Sequence, residues 1–292
     1  MGSFGLSRRS LLMTLPCFAF SPGLLLSETK VTPEEQFKAI EKGIGGRLGV
    51  AALNTGTGLS LGYRSAELFP MCSTFKFLLA ACILRRVESG SEQMDRTISF
   101  TGKDLLGYAP VTRSHLHQGA ITVYELCAAA VEVSDNTAAN LLLAQIGGPI
   151  GLTKFIRSLG DQVTRLDRTE PELNSAVTGD PRDTTSPDAM LGSMGKLLNG
   201  NALTASSRTQ LTVWLEQSTT GTQRLRAGVP ADWRGGDKTG TGEHGAMGDI
   251  GIFWPPGQKP ILIAAYQMEG QASTDQREQA IAAVGRVVAQ KL

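Results

Sequence analysis

A serine followed three positions later by a lysine, Ser73-Thr-Phe-Lys76, is the first place in this chain where residue types and spacing could do chemistry. Ser73 opens a run to Leu84 that is apolar nearly all the way round, and such a run reads as a buried helix. Lysine is rarely buried without a partner, because stripping water from an ammonium is costly. At i+3 Lys76 shares a helix face with Ser73 and can act on its hydroxyl, as an activated nucleophile requires. A snorkelling lysine beside a capping serine fits poorly, since the run offers nothing polar to receive it. The pattern alone is weak: roughly one S-x-x-K arises by chance in a chain of this size. A second copy, Ser193-Met-Gly-Lys196, lies in a mixed polar helix where a solvated lysine is the simpler reading.

Three further clusters follow Ser73, and each supplies a part that acyl transfer at a serine needs. Ser134-Asp-Asn136 separates two helical stretches; alone it would be an N-cap for the second, beside the other motifs a hydroxyl and an amide lining a cleft. In Glu170-Pro-Glu-Leu-Asn174 a carboxylate and an amide fall on one side of a single turn, able to grip one water. That turn lies within Arg165–Asp183, a segment of Ω-loop length whose neck Arg168 and Asp183 could close by an ion pair. Lys238-Thr-Gly-Thr-Gly242 reads as a strand on which Lys238, Thr239 and Thr241 offer charge and hydroxyls to an anion. Gly240 and Gly242 read as room for a substrate to approach the strand edge. S-D-N, K-T-G and E-x-x-L-N would each arise by chance in well under about one such chain in ten. All of them in order is a strong signal.

These clusters need elements to hold them. Thr32-Pro33-Glu34-Glu35 opens an amphipathic helix to Ile44, and strand-like runs at 47–54 and 59–64 flank the turn Thr55-Gly-Thr-Gly58. Three more strand-like runs, near 235–241, 247–254 and 260–267, precede a final helix from about Thr274 to Gln290. The middle is mostly helical, with helices expected at 122–132, 137–145, 152–159, 187–198 and 206–214. The expectation is an α/β fold of the α+β type. An antiparallel sheet of about five strands, built from both chain ends (about 29–65 and 216–292), is flanked by helices. An all-helical lobe at about 66–215 is inserted between them, with a cleft at the lobe interface.

The 292 residues carry a net charge of +1 with the charges interspersed, so no field attracts nucleic acid or an acidic membrane. The three histidines fall at no metal-ligand spacing with the cysteines, which disfavours a metal-dependent hydrolase; no metal or cofactor is expected. Ser7-Arg8-Arg9-Ser10-Leu11-Leu12 is a twin-arginine pattern, followed by an apolar stretch to Leu26 that Pro16, Pro22 and Gly23 interrupt. Residues 1–28 therefore read as a twin-arginine signal peptide cleaved between Ala19 and Thr29, leaving 29–292 as the working domain. Lipid attachment at Cys17 is disfavoured by Pro16. The mature chain is expected to be periplasmic, monomeric and free of the membrane. Its cysteines would be Cys72, Cys82 and Cys127, an odd number and no disulfide scaffold.

With these motifs in this order, the chain resembles class A serine β-lactamases from about Thr32 to Leu292. The resemblance implies β-lactam substrates and a Ser73 acyl-enzyme, with the oxyanion held by backbone N–H groups of Ser73 and Thr241. Lys76 and Glu170 share the activation of Ser73, and which of them is the acylation base stays open. Ser134 passes a proton to the leaving lactam nitrogen. Asn136 binds Lys76 and the substrate's acyl-amide side chain. Glu170 and Asn174 activate the deacylating water, while Lys238, Thr239 and Thr241 hold the substrate carboxylate. Tyr108, in Gly107-Tyr-Ala-Pro110, resembles the aromatic wall of the cleft. Where some relatives carry a supporting arginine after K-T-G this chain has Met247, and Arg224 matches the arginine that others use instead. Cys127 fits a family position, but Cys82 lies two residues beyond its usual partner, about 200° round a helix, so a Cys82–Cys127 disulfide is not expected. Two rivals remain: a penicillin-binding DD-peptidase, which lacks the Glu170-x-x-Leu-Asn174 water site, and a non-catalytic β-lactam sensor domain, which expects a membrane segment and a partner domain.

Overall fold

In the computed structural model the backbone is described for residues 1–5 and 31–292; the twin-arginine pattern and Cys17 lie outside the described residues. Helix α1 (Pro33–Ile44) starts as its sequence dictates: Thr32 and Glu35 form a reciprocal capping box with Pro33 in the first turn, and Gly45 ends the helix in the left-handed region. Strands β1 (Arg47–Asn54) and β2 (Ser60–Tyr63) then form a hairpin, followed by the short β3 (Phe69–Pro70). The helical middle comprises α2 (Phe75–Glu88), β4 (Thr97–Ser99), α3 (Pro110–Ser114), β5 (Ala120–Thr122), α4 (Val123–Glu132), α5 (Asn136–Gln145) and α6 (Gly148–Ser158). It continues through β6 (Thr184–Thr185), α7 (Pro187–Met194), α8 (Ala205–Glu216) and α9 (Leu225–Gly228). Strands β7 (Arg234–Thr241), β8 (Met247–Trp254) and β9 (Ile261–Met268) and helix α10 (Thr274–Lys291) complete the chain.

The main sheet runs β2-β1-β9-β8-β7 with every neighbouring pair antiparallel, so both chain ends build it, as the sequence implies. Its register puts Val50 opposite Ala265 and Thr239 opposite Asp249. Alternation along the strands serves two cores. Leu48, Val50, Ala52, Ile263 and Phe253 pack with Phe37 and Ile44 of α1 and Val284 and Val288 of α10. Ile250, Ile252, Leu262 and Tyr266 face the helical middle. There α2 is buried at every residue from Phe75 to Leu84, which is why its sequence is apolar all round.

Three local departures from the sequence reading have physical reasons. Ser73 does not begin α2 itself; it sits in a tight 3₁₀ turn, Cys72–Thr74, ahead of it. The helix expected over 187–198 is α-helical only to Met194 and widens into a π-turn over Gly195–Asn199, closed by Gly200, where a Cβ would lie 2.9 Å from the Lys196 carbonyl. Strands β3 to β6 are two or three residues long, too short to leave a periodic signal.

Candidate active site

The cleft holds about 340 Å³ and is lined by Ser73, Tyr108, Ser134, Asn136, Asn174, Thr220, Arg224, Thr239, Gly240 and Thr241. It lies where the 3₁₀ turn before α2, the turn before α5, the Arg165–Asp183 loop and the outermost strand β7 meet. Cys72 and Ser134 hold positive φ, 44° and 61°, conformations that side-chain-bearing residues rarely adopt and that concentrate at functional sites.

Ser73 and Lys76 meet as their spacing predicts. Lys76 Nζ donates to Ser73 Oγ at 2.9 Å, and Ser73 Oγ donates to Glu170 Oε1 at 3.0 Å. Lys76 Nζ is also 2.9 Å from Glu170 Oε1, and both side chains are wholly buried. The ammonium further reaches Asn136 Oδ1 at 2.6 Å, the Ser134 carbonyl at 2.9 Å and Ser134 Oγ at 3.3 Å. These oxygens are the partners a buried lysine needs. Burial nevertheless holds the Lys76 ammonium below the usual lysine range, with Glu170 opposing the shift.

Ser134-Asp-Asn136 is both an N-cap and a site motif. Asp135 caps α5 by accepting from Ala138 N, and its carboxylate also takes Val111 N and Thr112 N, which ties down the segment carrying Tyr108. Ser134 and Asn136, on either side of that cap, face Lys76. Ser193 and Lys196, the second S-x-x-K, form no comparable site: Ser193 Oγ donates to Asp161 and Lys196 Nζ to the Leu159 carbonyl.

The Arg165–Asp183 loop is closed at its neck as expected, with Arg168 Nε 2.6 Å from Asp183 Oδ2. The Asp183 carbonyl accepts from Met71 N at 2.9 Å, which joins the neck to the backbone just ahead of Ser73. Asn174 Nδ2 donates to Glu170 Oε2 at 2.5 Å, and Asn174 Oδ1 is buried with no partner. An orphaned buried acceptor beside a carboxylate suits a bound water. Asn140, which the sequence reading missed, clasps the Glu170 peptide from both sides: its Nδ2 donates to Glu170 O at 2.8 Å, and its Oδ1 accepts from Glu170 N at 3.0 Å. It lies one helical turn after Asn136 on α5, but its partner stands 30 positions away, so no local spacing marks it.

Lys238 is wholly buried rather than solvated, and its Nζ donates to Ser134 Oγ at 3.0 Å and to the Thr239 carbonyl at 2.8 Å. Burial, reinforced by Lys76, holds it well below the usual lysine value. Arg224 is also buried; it donates to the carbonyls of Gly240 and Gly248 at 2.9 and 3.0 Å and to Thr241 Oγ1 at 2.7 Å. The next residue, Leu225, is anchored through its N–H to Asp249, whose carboxyl burial pushes well above the usual range. Thr220, also missed, touches Thr239 Oγ1 at 2.6 Å. Met247 has its side chain in the core with Leu48 and Ile263, away from these groups.

Gly240 and Gly242 correct the sequence reading. A Cβ on Gly240 would lie 2.6 Å from the Met71 carbonyl and 3.1 Å from Ser73 N; one on Gly242 would lie 2.7 Å from both the Asn174 carbonyl and Cys72 Sγ. The room these glycines make is filled by the protein itself, because β7 must run against the nucleophile's turn. Cys72, Cys82 and Cys127 are buried free thiols. Among the described residues no group of three His, Cys, Asp or Glu side chains could hold a metal ion.

A buried serine between an ammonium and a carboxylate, beside a strand edge and a cluster of cationic and hydroxyl donors, defines the site of a serine acyl hydrolase. The chain belongs to the β-lactamase enzyme family, whose model matches residues 32–292, and within it to the class A serine β-lactamases. It is 42% identical to β-lactamase CTX-M-97 of Escherichia coli over 98% of this chain and 97% of that one. It is 47% identical to the carbapenem-hydrolyzing β-lactamase KPC of Klebsiella oxytoca over 88% of each. The solved class A β-lactamase of the reconstructed last common ancestor of Gram-negative bacteria superposes with a TM-score of 0.87 at 57% identity, covering 88% of this chain and 98% of that one.

Proposed function

We propose that this enzyme opens the lactam ring of penicillins and cephalosporins through an acyl-enzyme at Ser73. The observation that carries the reading is Ser73 Oγ between Lys76 Nζ at 2.9 Å and Glu170 Oε1 at 3.0 Å. Both groups are within reach of that hydroxyl and share its activation as Oγ attacks the carbonyl, so acylation does not depend on Glu170 alone. Backbone N–H groups of Ser73 and Thr241 hold the oxyanion. Ser134 Oγ accepts from both Lys76 and Lys238, which leaves its own proton free for the departing nitrogen. Glu170 then activates a water that Asn174 helps to hold. Lys238, Thr239, Thr241 and Arg224 bind the substrate carboxylate, Asn136 the acyl-amide side chain, and Tyr108 walls the cleft.

The unpartnered Asn174 Oδ1 beside Glu170 favours this reading over a DD-peptidase, which has no water site, and over a non-catalytic sensor. Among the described residues no helix is long and apolar enough to cross a membrane. The protein is read as exported by the twin-arginine route, with residues 1–28 as signal and 29–292 as a monomeric periplasmic domain. Carbapenem turnover is read as slow but measurable. Carbapenem-hydrolysing members of the family often join a cysteine just before the nucleophile to one just after K-T-G, whereas this chain has Cys72 but Gly242 there. A small carbapenem side chain also lets the acyl group settle where it excludes the water. The test is intact-mass spectrometry of Glu170→Ala mixed with a penicillin: a stable adduct at Ser73 is expected. Free enzyme with fast turnover would sink the role given to Glu170.

A further inference from the structure

Of the hydroxyls that line the cleft, those of Ser134, Thr239 and Thr241 each have a further polar group behind them. Ser134 Oγ accepts from two lysines, and Thr241 Oγ1 accepts from Arg224. Ammonium and guanidinium groups have no acceptor, so these bonds run one way and turn the proton of each hydroxyl outward. Thr239 differs. Its Oγ1 is 2.6 Å from Thr220 Oγ1, a bond between two hydroxyls in which either oxygen can be the donor. Thr220 Oγ1 in turn lies 3.4 Å from Ser218 Oγ, a buried side chain. The direction of this short row is therefore set by what sits in the cleft.

We infer that Thr220 is a positioning residue that makes Thr239 a donor to the substrate carboxylate. With an anion in the cleft, Thr220 donates to Thr239 Oγ1, and the Thr239 proton is released toward the anion. With a neutral group there, the row has no such preference, and Thr239 can spend its proton on Thr220 instead. Thr220 thereby contributes to discrimination between lactams that carry a carboxylate and those that do not. The inference rests on the proposed carboxylate site at Lys238, Thr239 and Thr241.

Thr220→Val keeps the side-chain shape and removes the donor, and Thr220→Ser restores it. Each would be assayed on a chromogenic cephalosporin with its free carboxylate and on the methyl ester of the same compound, with thermal unfolding as a check on folding. A charge-assisted hydrogen bond weakened at one remove should raise KM for the carboxylate substrate about ten-fold in Thr220→Val. There kcat should change less, the ester should be little affected, and Thr220→Ser should recover most of the loss. Thr239→Val separates the two levels of the argument. If Thr239→Val raises KM for the carboxylate substrate and Thr220→Val does not, Thr220 has no such role and the carboxylate site stands. If neither does, the carboxylate site itself is misplaced. Equal losses on acid and ester in Thr220→Val would mark a merely structural role and overturn the inference.

Discussion

Arg224 Nη2 donates to Thr241 Oγ1 across 2.7 Å, although the two residues reach the cleft from different elements, the segment before α9 and the end of β7. The same guanidinium donates to the carbonyls of Gly240 and Gly248 and pairs with Glu278 at 3.3 Å, so one side chain staples β7 to β8 and to α10 while reaching the cleft at Thr241. Arg224→Ala should lower kcat/KM on carboxylate-bearing lactams by about ten- to a hundred-fold, the range for a lost charge-assisted bond. Met247→Ala should instead destabilise the fold by about 2–5 kcal/mol, as buried methionine truncations do, with little change in kinetics. Steady-state kinetics and chemical denaturation on both variants check this. Wild-type kinetics in both would move the carboxylate site elsewhere.

Asn140 grips the backbone of Glu170 without touching its carboxylate. Asn140→Ala should loosen the carboxylate relative to Ser73 and slow release of the acyl group more than its formation. A stopped-flow burst followed by a steady rate at least about ten-fold below wild type is the expected trace, a misplacement effect of ordinary size. An unchanged steady rate would show that the loop holds Glu170 by itself.

The thiols should be silent in the native enzyme. Burial pushes Cys82 up to about 11 and Cys72 up to about 12, and Cys127 is raised in the same direction. At pH 8 the thiolate fraction at each is then about one in a thousand or less, and the thiolate is the reactive form. A disulfide-exchange reagent should therefore find almost nothing before denaturation and three thiols per 29–292 chain afterwards. One thiol after denaturation would indicate a disulfide.

Gly240→Ala tests whether β7 must touch the nucleophile's turn. A methyl group 2.6 Å from the Met71 carbonyl meets backbone, which cannot swing away. Loss of about 1–3 kcal/mol of stability, the usual size of overpacking, should accompany a fall in acylation rate. Normal acylation at normal stability would show that the turn yields freely.

The residues nearest the reacting atoms were the most legible, because chemistry restricts both their type and their spacing. Ser73 with Lys76 at i+3, and Glu170 with Asn174 at i+4, each compress a tertiary contact into local sequence. Thr220 and Asn140 carry no such local mark, since their partners stand 19 and 30 positions away. A glycine announces close approach without saying of what, which is how the neighbours of Gly240 were mistaken. The capping box at Thr32 and Glu35 was readable because it is purely local, whereas β3 to β6 exist only through pairing across the chain.

Strand β1 lies between β2 and β9, paired with residues that follow it by about two hundred positions, and β7 reaches it only through β8 and β9. A ribosome makes β1 early and β9 among the last elements of the chain. While residues 261–268 are still unmade or in the exit tunnel, β1 keeps an open edge and β7 has no sheet to join. Ser73 and Lys76 are finished early but wait through most of synthesis without Lys238, Thr239 or Arg224 beside them. A message cut short anywhere between Lys76 and β9 therefore yields a polypeptide that owns a nucleophile and no enzyme, so activity reports that translation ran past β9.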